Sequence, residues 1–412
     1  MLLFTATYPF DAGAEQTFLD LETKILVDSF DKVIVVPGRC SGTKLNLPEG
    51  MVVDDSYAAS ILRANPLSLV AKVLRSRLFY MEIYSRPDLL FYPRAILRLV
   101  KFVAGVNLTS EWMRSWFAKK SGSNPICYTY WFDHITLGVG LIKKQNPGIR
   151  LVSRAHGYDL YEEYYYHPPY WPCRPLSLSL LDALYIDSYA GTEYMRNKYP
   201  AFRSIYETAL LGVPDPGIRS AASTDGTFRI VSCSLLDDVK RVDLLLEGVV
   251  TAARLRPNQQ FEWTHIGNGV RRTELQQKAN ASLPINARGR LPGYDGKQAL
   301  YQFYRDNPVD VFINVSATEG TPVSIMEAIS CGIPVLATSV GGNTEIVSEL
   351  NGLLLPKDPS AEDIGQAIIK FIDECELSVA KRENSYQLWK TRYNAASNYE
   401  EFISKLKFIG KD

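Results

Sequence analysis

Short apolar strands alternate with amphipathic helices along this chain, and the alternation runs twice. The strand candidates are residues 2–7, 32–36, 126–130, 150–153, 183–187, 228–232, 262–266, 309–314, 334–338 and 352–355. In the helix candidates, apolar residues recur every three or four positions; these are residues 16–29, 242–255, 323–330 and 361–372. The pattern predicts an α/β fold of doubly wound parallel sheets, covered by helices on both faces.

The second run of alternation begins near Phe228, shortly after a connection rich in glycine and proline at residues 212–217. Such residues end regular elements and suit a linker between domains. We therefore expect two Rossmann-like domains that face a central cleft, at residues 1–212 and 213–385. The helical segment 386–412 is expected to pack back on the first domain.

Composition limits the class of protein. The 412 residues include 45 Lys and Arg against 45 Asp and Glu, and this zero net charge argues against a protein that coats nucleic acid. Six cysteines without a C-x-x-C pair predict reduced thiols and no zinc site. The start of the chain has no basic segment typical of a signal peptide, and no apolar run reaches the length of a membrane span. We expect a cytoplasmic protein without a metal ion.

Residues 58–120 depart from this neutral average. They contain eleven Lys and Arg against three Asp and Glu, with apolar and aromatic residues between them. Such a segment can lie as a basic amphipathic surface on anionic lipid headgroups, which would attach the protein to the inner membrane face. An ordinary helical excursion, with solvated arginines and an apolar stripe in the core, is the alternative, and both interpretations stay open.

The most informative segment is NVSATEGTPVSIME, residues 314–327, which follows a strand candidate and opens a helix candidate. Pro322 suits the first helical turn, where its missing N–H costs nothing. The amides of Gly320, Thr321 and Val323 would then point out of a helix N-terminus, which is an arrangement that binds anions.

Two glutamates flank this anion site. Glu319 lies in the loop before the helix, and Glu327 lies about one turn inside it. Carboxylates would repel a phosphate, but they accept hydrogen bonds well from sugar hydroxyls on either side of one. The alternative is that Glu319 is a loop charge and Glu327 a solvated helix residue.

The segment resembles the E-x7-E signature of retaining glycosyltransferases of the GT-B fold, in particular glycosyltransferase family 4. The similarity continues through ISCGIPVLATSVGGNTEIV and NGLLLPKDPSAEDIGQAI, so about 60 consecutive residues agree in order and spacing. The resemblance implies that Glu327 binds the donor ribose and that Glu319 contacts the transferred sugar. It also implies that the amides of Gly320, Thr321 and Val323, around Pro322, hold the pyrophosphate.

The segment SCSLLDDVKRVDLLLEGV is similar to the strand, basic loop and helix that open the nucleotide domain of this family. Lys240 matches the family's phosphate-binding lysine, but Ser234 and Leu235 occupy the places of its usual arginine. The neighbouring Arg241 could supply the missing charge, since a guanidinium can bind phosphate with two hydrogen bonds; alternatively Lys240 and Arg241 are a solvated pair. In THIGNGV, Gly267 matches a turn where the backbone approaches the nucleotide.

In the first half, SRAHGYDLY places His156 and Asp159 just after a strand candidate, at the edge where parallel sheets bind ligands. It is similar to an H-G-x-D segment of polysaccharide-assembling members, which implies that His156 orients the transferred sugar. Gly13 would let the loop after the first strand approach the donor or acceptor. Asp159 and Glu15 are acceptor-side candidates, with a helix-capping role for Glu15 as the alternative.

The resemblance as a whole implies transfer of a hexose from a nucleoside diphosphate sugar, without a cofactor, to a lipid-linked or oligosaccharide acceptor in polysaccharide synthesis. Two other functions remain open. Ser234 and Leu235 would suit a catalytically impaired, donor-binding subunit of an assembly complex, and a sugar-nucleotide epimerase would share the same scaffold.

Overall fold

The computed structural model describes residues 1–11, 15–120, 124–374 and 378–410. The chain folds into two compact units, one formed by Met1–Leu211 with Ser397–Asp412 and the other by Gly212–Ala396.

The first unit contains a parallel sheet of seven strands in the order β3-β2-β1-β4-β5-β6-β7. The strands are β1 (Leu2–Thr5), β2 (Val33–Pro37), β3 (Met51–Val53), β4 (Ile126–Thr129), β5 (Arg150–Ala155), β6 (Ala183–Ile186) and β7 (Tyr206–Thr208). Leu2 pairs with Ile34 on one side and Cys127 on the other, so β1 is an inner strand. Most residues of the inner strands are apolar and buried because helices cover both faces of the sheet.

Helices connect these strands. In the described residues they are α1 (Gln16–Ser29), α2 (Ser56–Arg63), α3 (Pro66–Leu74), α4 (Arg77–Ser85), α5 (Pro93–Lys119), α6 (His134–Lys143), α7 (Gly157–Leu160), α8 (Glu162–Tyr165), α9 (Arg174–Leu178) and α10 (Tyr189–Lys198), with 3-10 turns at Pro87–Phe91 and Pro200–Ile205. The long connection between β3 and β4 is therefore a helical excursion, α2 to α5.

The apolar stripe of α5 belongs to the core. Leu99 and Val103 are fully buried, and Phe102 and Trp112 nearly so. Leu99, Phe102 and Val103 pack in one core cluster with Tyr170 of a later segment. Trp112 packs in the core cluster of the sheet. For α5, the structure thus agrees with the interpretation of an ordinary helical excursion. No helix among the described residues is long and apolar enough to cross a membrane.

The second unit contains a parallel sheet of six strands in the order β10-β9-β8-β11-β12-β13. The strands are β8 (Thr227–Cys233), β9 (Gln260–Ile266), β10 (Ala287–Arg290), β11 (Val311–Asn314), β12 (Val335–Thr338) and β13 (Gly352–Leu355). The helices are α11 (Val242–Leu255), α12 (Arg272–Ser282), α13 (Gly296–Asp306), α14 (Val323–Ser330), α15 (Asn343–Ile346), α16 (Ala361–Asp373) and α17 (Ser378–Leu388), with a 3-10 turn at Asp238–Lys240. Because all strands are parallel, their carboxyl ends form one edge, where loops can build a ligand site.

The end of the chain returns to the first unit. A π-helical turn, Trp389–Tyr393, follows α17, and the Trp389 indole donates to the Val213 carbonyl within the second unit. The last helix, α18 (Ala395–Ile409), carries Phe402, whose ring packs edge-on against Tyr128 and Tyr185 of the first sheet.

Candidate functional site

The loop between β11 and α14 carries the sequence motif. Pro322 stands one residue before the helix and has an extended ψ of 91°, so α14 begins at Val323, and Pro322 does not occupy the first helical turn as expected. Its carbonyl accepts the amides of Ile325 and Met326. The first amides of a helix have no acceptor within it and lie at the positive end of the helix dipole. They make the end of β11 suited to an anion.

Glu319 is fixed in this loop by three donors. The Lys240 ammonium is 2.7 Å from its Oε1, and the Ser316 hydroxyl and the Asn314 amide donate to the same oxygen at 2.6 and 3.0 Å. The Glu319 side chain is only 10% exposed. The lysine and the glutamate, 79 residues apart, therefore meet at the strand ends, and the ammonium keeps further donors for a ligand.

Arg241 holds the surrounding loops together. It adopts a left-handed backbone conformation, φ 49°, and its guanidinium donates to the carbonyls of Val315, Ser316 and Lys357 and to the Asp358 carboxylate. These bonds tie the loop after β8 to the loops after β11 and β13. They give Arg241 a positioning role; its direct contact with phosphate stays a prediction.

The neighbouring loop after β9 lies against the loop after β8. A Cβ on Gly267 would stand 1.8 Å from the Ser234 carbonyl oxygen, so only glycine fits there. His265, just before it, is buried, and its Nδ1 lies 2.9 Å from the Ser232 hydroxyl. Burial lowers the pKa of His265 to about 4, so it is a neutral packing residue. Whether Gly267 also approaches a nucleotide stays a prediction.

Glu327 is a buried acid within α14. Its side chain is 7% exposed, and Lys297 of α13 is its ion-pair partner at 3.9 Å. Burial raises the pKa of Glu327 to about 7, and Lys297 offsets only part of this effect. A carboxylate that is costly to keep charged without a strong partner is typical of a functional position.

A cavity of about 300 Å³ lies at the same edge, between the ends of β9 and β10. Its lining includes Ile266, Asn268, Gly293 and Tyr294. The Glu327 carboxylate is close enough to add to the raised pKa of Tyr294, which burial mainly causes. Sequence analysis missed Tyr294 and Lys297, because the segment LPGYDGK contains no charge pattern that indicates a site; only its glycines mark a turn. It also missed Asn268, although this residue follows Gly267 in THIGNGV.

A turn of two glycines, Gly341 and Gly342, packs against the backbone of the loop that carries Glu319. The Gly342 amide donates to the Gly320 carbonyl at 3.0 Å. Gly341 has φ 45°, and a Cβ there would be 1.8 Å from the Glu319 carbonyl oxygen. The loop that carries Glu319 therefore keeps its place only if position 341 has no side chain.

In the first unit, His156 follows β5 and lies among aromatic rings. Its ring centroid is 4.7 Å from that of Tyr130 and 4.6 Å from that of Trp131. Among the described residues, neither of its buried ring nitrogens has a hydrogen-bond partner. Burial and the nearby Arg154 charge hold its pKa well below the usual value, so the ring is neutral. Unpartnered buried nitrogens are suited to binding a ligand group.

The two acceptor-side candidates are bound to main-chain amides. Asp159 accepts the amides of His156 and Phe132, both at 2.6 Å, and burial raises its pKa to about 7. Asp159 thus caps α7 and orients His156.

Glu15 accepts the three successive amides of residues 6–8 and the Trp131 indole N–H. It therefore orders the loop after β1. Contact of Asp159 or Glu15 with an acceptor stays a prediction, and Gly13 lies outside the described residues.

Within the described ranges, no group of three or more His, Cys, Asp and Glu side chains is arranged to hold a metal ion.

Comparison with known proteins finds similarity over most of the second unit. Residues 218–388 match the family model for glycosyl transferases group 1. The UDP-N-acetylglucosamine–peptide N-acetylglucosaminyltransferase GtfA subunit of Streptococcus agalactiae is 29% identical over 192 residues. That match covers 43% of this chain and 36% of the relative, so the chain corresponds to about a third of that protein's length.

Solved structures match almost the whole chain. Anabaena Alr3699/HepE, in complex with UDP and glucose, has a TM-score of 0.63 at 14% identity over 98% of each chain. The lipopolysaccharide outer core galactosyltransferase WaaB has a TM-score of 0.66 at 14% identity over 99% of each chain. The predicted α/β GT-B architecture is confirmed, and residues 218–388 are similar to the glycosyl transferases group 1 family.

Proposed function

We propose that this protein is a retaining glycosyltransferase of family 4 that transfers a hexose from a nucleoside diphosphate sugar to a hydroxyl acceptor without a metal ion. The observation that carries the proposal is the Lys240–Glu319 ion pair at the N-terminus of α14. It brings a cation and helix amides, which suit a diphosphate, close to a carboxylate, which suits sugar hydroxyls. The family match over residues 218–388 supports it independently.

In this proposal the donor lies along the carboxyl edge of the second sheet. The main-chain amides within residues 320–323 and the Lys240 ammonium bind the diphosphate, and Glu327 accepts the ribose hydroxyls. The cavity beside Tyr294 has room for the nucleoside base, since about 300 Å³ is at the lower end of small-molecule sites. Glu319 then faces the transferred sugar.

The chemistry follows from where charge develops. Cleavage of the anomeric bond leaves negative charge on the departing diphosphate, which Lys240 and the helix amides stabilise. The acceptor hydroxyl attacks from the same face and gives its proton to the leaving phosphate, so configuration is retained. His156, neutral and with unpartnered nitrogens, hydrogen-bonds a hydroxyl of the transferred sugar and orients it.

For the acceptor, we propose a lipid-linked oligosaccharide of cell-surface polysaccharide synthesis, with the protein in the cytoplasm at the inner membrane face. The resemblance to polysaccharide-assembling members supports this choice, as does the basic surplus of residues 58–120.

A panel of UDP-, GDP- and dTDP-hexoses tests the function. Release of the nucleoside diphosphate should require lipid extract, should persist in EDTA, and should give a product with the anomeric configuration of the donor. Donor binding without turnover would favour the impaired subunit, and conversion of donor without acceptor would favour the epimerase. An inverted product would refute retention.

Gly341→Ala should displace the loop that carries Glu319. The new methyl group would meet the Glu319 carbonyl, and such overpacking costs about 1–3 kcal/mol. We expect a lower free energy of unfolding, measured by denaturant titration, and weaker binding of the nucleoside diphosphate, measured by calorimetry. Gly226→Ala is the matched control, because Gly226 also has a positive φ, 78°, but a Cβ there would have no neighbouring atom within 4 Å. Equal effects of the two variants on nucleotide binding would contradict the prediction.

A further inference from the structure

The helical excursion exposes an unusual number of large apolar side chains. Eleven of them lie within 36 residues, although large apolar side chains are usually buried in the core. They are Leu62, Leu67, Val70, Leu74, Tyr80, Met81, Tyr84, Leu90, Phe91, Tyr92 and Leu97. We call this set the 62–97 surface. A segment that exposes so many large apolar side chains is a candidate interaction surface.

Helical spacing groups several of these side chains. Leu67, Val70 and Leu74 share one face of α3, and Tyr80 and Tyr84 share one face of α4. Phe91, at the end of the 3-10 turn, is 84% exposed and Tyr84 is 89% exposed. These residues differ from the α5 stripe, which the core already covers.

The charges on the same segment are mainly positive. The exposed bases are Arg63, Lys72, Arg75, Arg77, Arg94 and Lys101, of which Lys72 is paired with Glu111 of α5. The segment between Arg63 and Lys101 has two acids, and both are engaged: Glu82 accepts the Tyr170 hydroxyl and the Cys173 amide, and Asp88 pairs with Arg86. The surface therefore combines apolar groups with cations, which complements an anionic bilayer and would repel a second copy of itself.

We propose that the 62–97 surface binds an anionic lipid bilayer. Its leucines and aromatic rings enter the boundary between headgroups and acyl chains, and its arginines contact the lipid phosphates.

The surface is also tied to the loop that follows His156. The Arg98 guanidinium donates to the Tyr170 carbonyl at 2.7 Å and lies 3.7 Å from the Tyr166 ring centroid. Tyr92 packs edge-on against His167. A bilayer on this surface would present a lipid-linked acceptor beside the His156 end of β5. This last step rests on the proposed function, whereas bilayer binding does not.

The test is sedimentation with vesicles of phosphatidylcholine, with and without phosphatidylglycerol, at low and high salt. The protein should bind the anionic vesicles at low salt and not the neutral ones. Leu90→Asp with Phe91→Asp should weaken binding by roughly tenfold or more. Each apolar side chain that enters the bilayer contributes a large part of its free energy of transfer out of water, and aspartate does not. Arg75→Gln with Arg77→Gln should weaken it by about fivefold for each charge removed.

Leu350→Asp with Phe408→Asp is the matched control, since both residues are 70% exposed but lie outside the surface. It should bind as the wild type does. The proposal is overturned if the wild type ignores anionic vesicles, if the control loses as much binding, or if light scattering shows a dimer that Leu90→Asp dissociates. Transfer to a detergent-solubilised acceptor should stay unchanged in the surface variants, so failure of bilayer binding and failure of the proposed function are distinguishable.

Discussion

Glu327→Gln should make the protein more stable above pH 7 and, at the same time, a weaker binder of nucleoside diphosphates. Burial raises the pKa of Glu327 from 4.5 to about 7, so the folded state disfavours the charged form. In the wild type, the contribution of Glu327 to the free energy of unfolding is fully present below the unfolded pKa of 4.5. It is lost as the pH rises through the folded pKa of about 7. Removing the charge should recover on the order of 2 kcal/mol there, and little below pH 4.5.

Donor affinity should change in the opposite direction. Hydrogen bonds from ribose hydroxyls to a carboxylate contribute about 1.5–3 kcal/mol, so the variant should bind roughly 10- to 100-fold more weakly. Thermal unfolding at several pH values and calorimetric titration with nucleoside diphosphates measure the two effects.

Glu262→Gln is the control for this combination of higher stability and weaker nucleotide binding. Glu262 is equally buried, but Arg288 and Arg290 donate to it, so its charge is paired. Its variant should lose stability and keep its nucleotide affinity. If Glu327→Gln instead loses both stability and affinity, Glu327 is a structural residue and the assignment to the ribose is wrong.

The second large effect is expected at the Lys240–Glu319 pair. Lys240→Met should lower kcat by about 10²–10³, the usual loss when one group that stabilises developing negative charge is removed. Glu319→Gln should also lower kcat more than it raises KM, because its proposed contact with the sugar would matter most in the transition state. The double variant should be little worse than the worse single one, since the two side chains share a 2.7 Å ion pair.

Steady-state kinetics of the two single variants and the double variant test this coupling. Lys278→Met is the matched control, because Lys278 pairs with Glu247 at 2.8 Å on an exposed surface. It should keep wild-type kinetics. Full activity of Lys240→Met, or strictly additive losses in the double variant, would exclude a joint role for the pair.

The sequence predicted the buried elements best. The candidates at residues 16–29, 242–255 and 323–330 match α1, α11 and α14 in both bounds, because a clear apolar periodicity fixes each helix. The strands that it missed, β3, β7 and β10, lie at the edges of the sheets. In β10, the alternating Arg288 and Arg290 carry no apolar signal, and their partner Glu262 is on the neighbouring strand.

The site was predictable only where a local motif carries it. The spacing of Glu319 and Glu327 is visible in the sequence, and the resemblance to a family added Lys240. The guanidinium bonds of Arg241 and the Trp131 indole bond of Glu15 were not predictable, since these partners come from distant loops. In residues 58–120, composition showed the basic surplus but could not separate the core stripe of α5 from the exposed 62–97 surface, because burial depends on tertiary packing.

A crystal structure of the protein soaked with the nucleoside diphosphate that binds most tightly tests the central claim most directly. The account predicts phosphate oxygens within hydrogen-bond distance of the main-chain amides within residues 320–323 and of the Lys240 ammonium, with the ribose hydroxyls on Glu327. A diphosphate bound away from the N-terminus of α14, with neither Lys240 nor Glu327 in contact with the ligand, would contradict it.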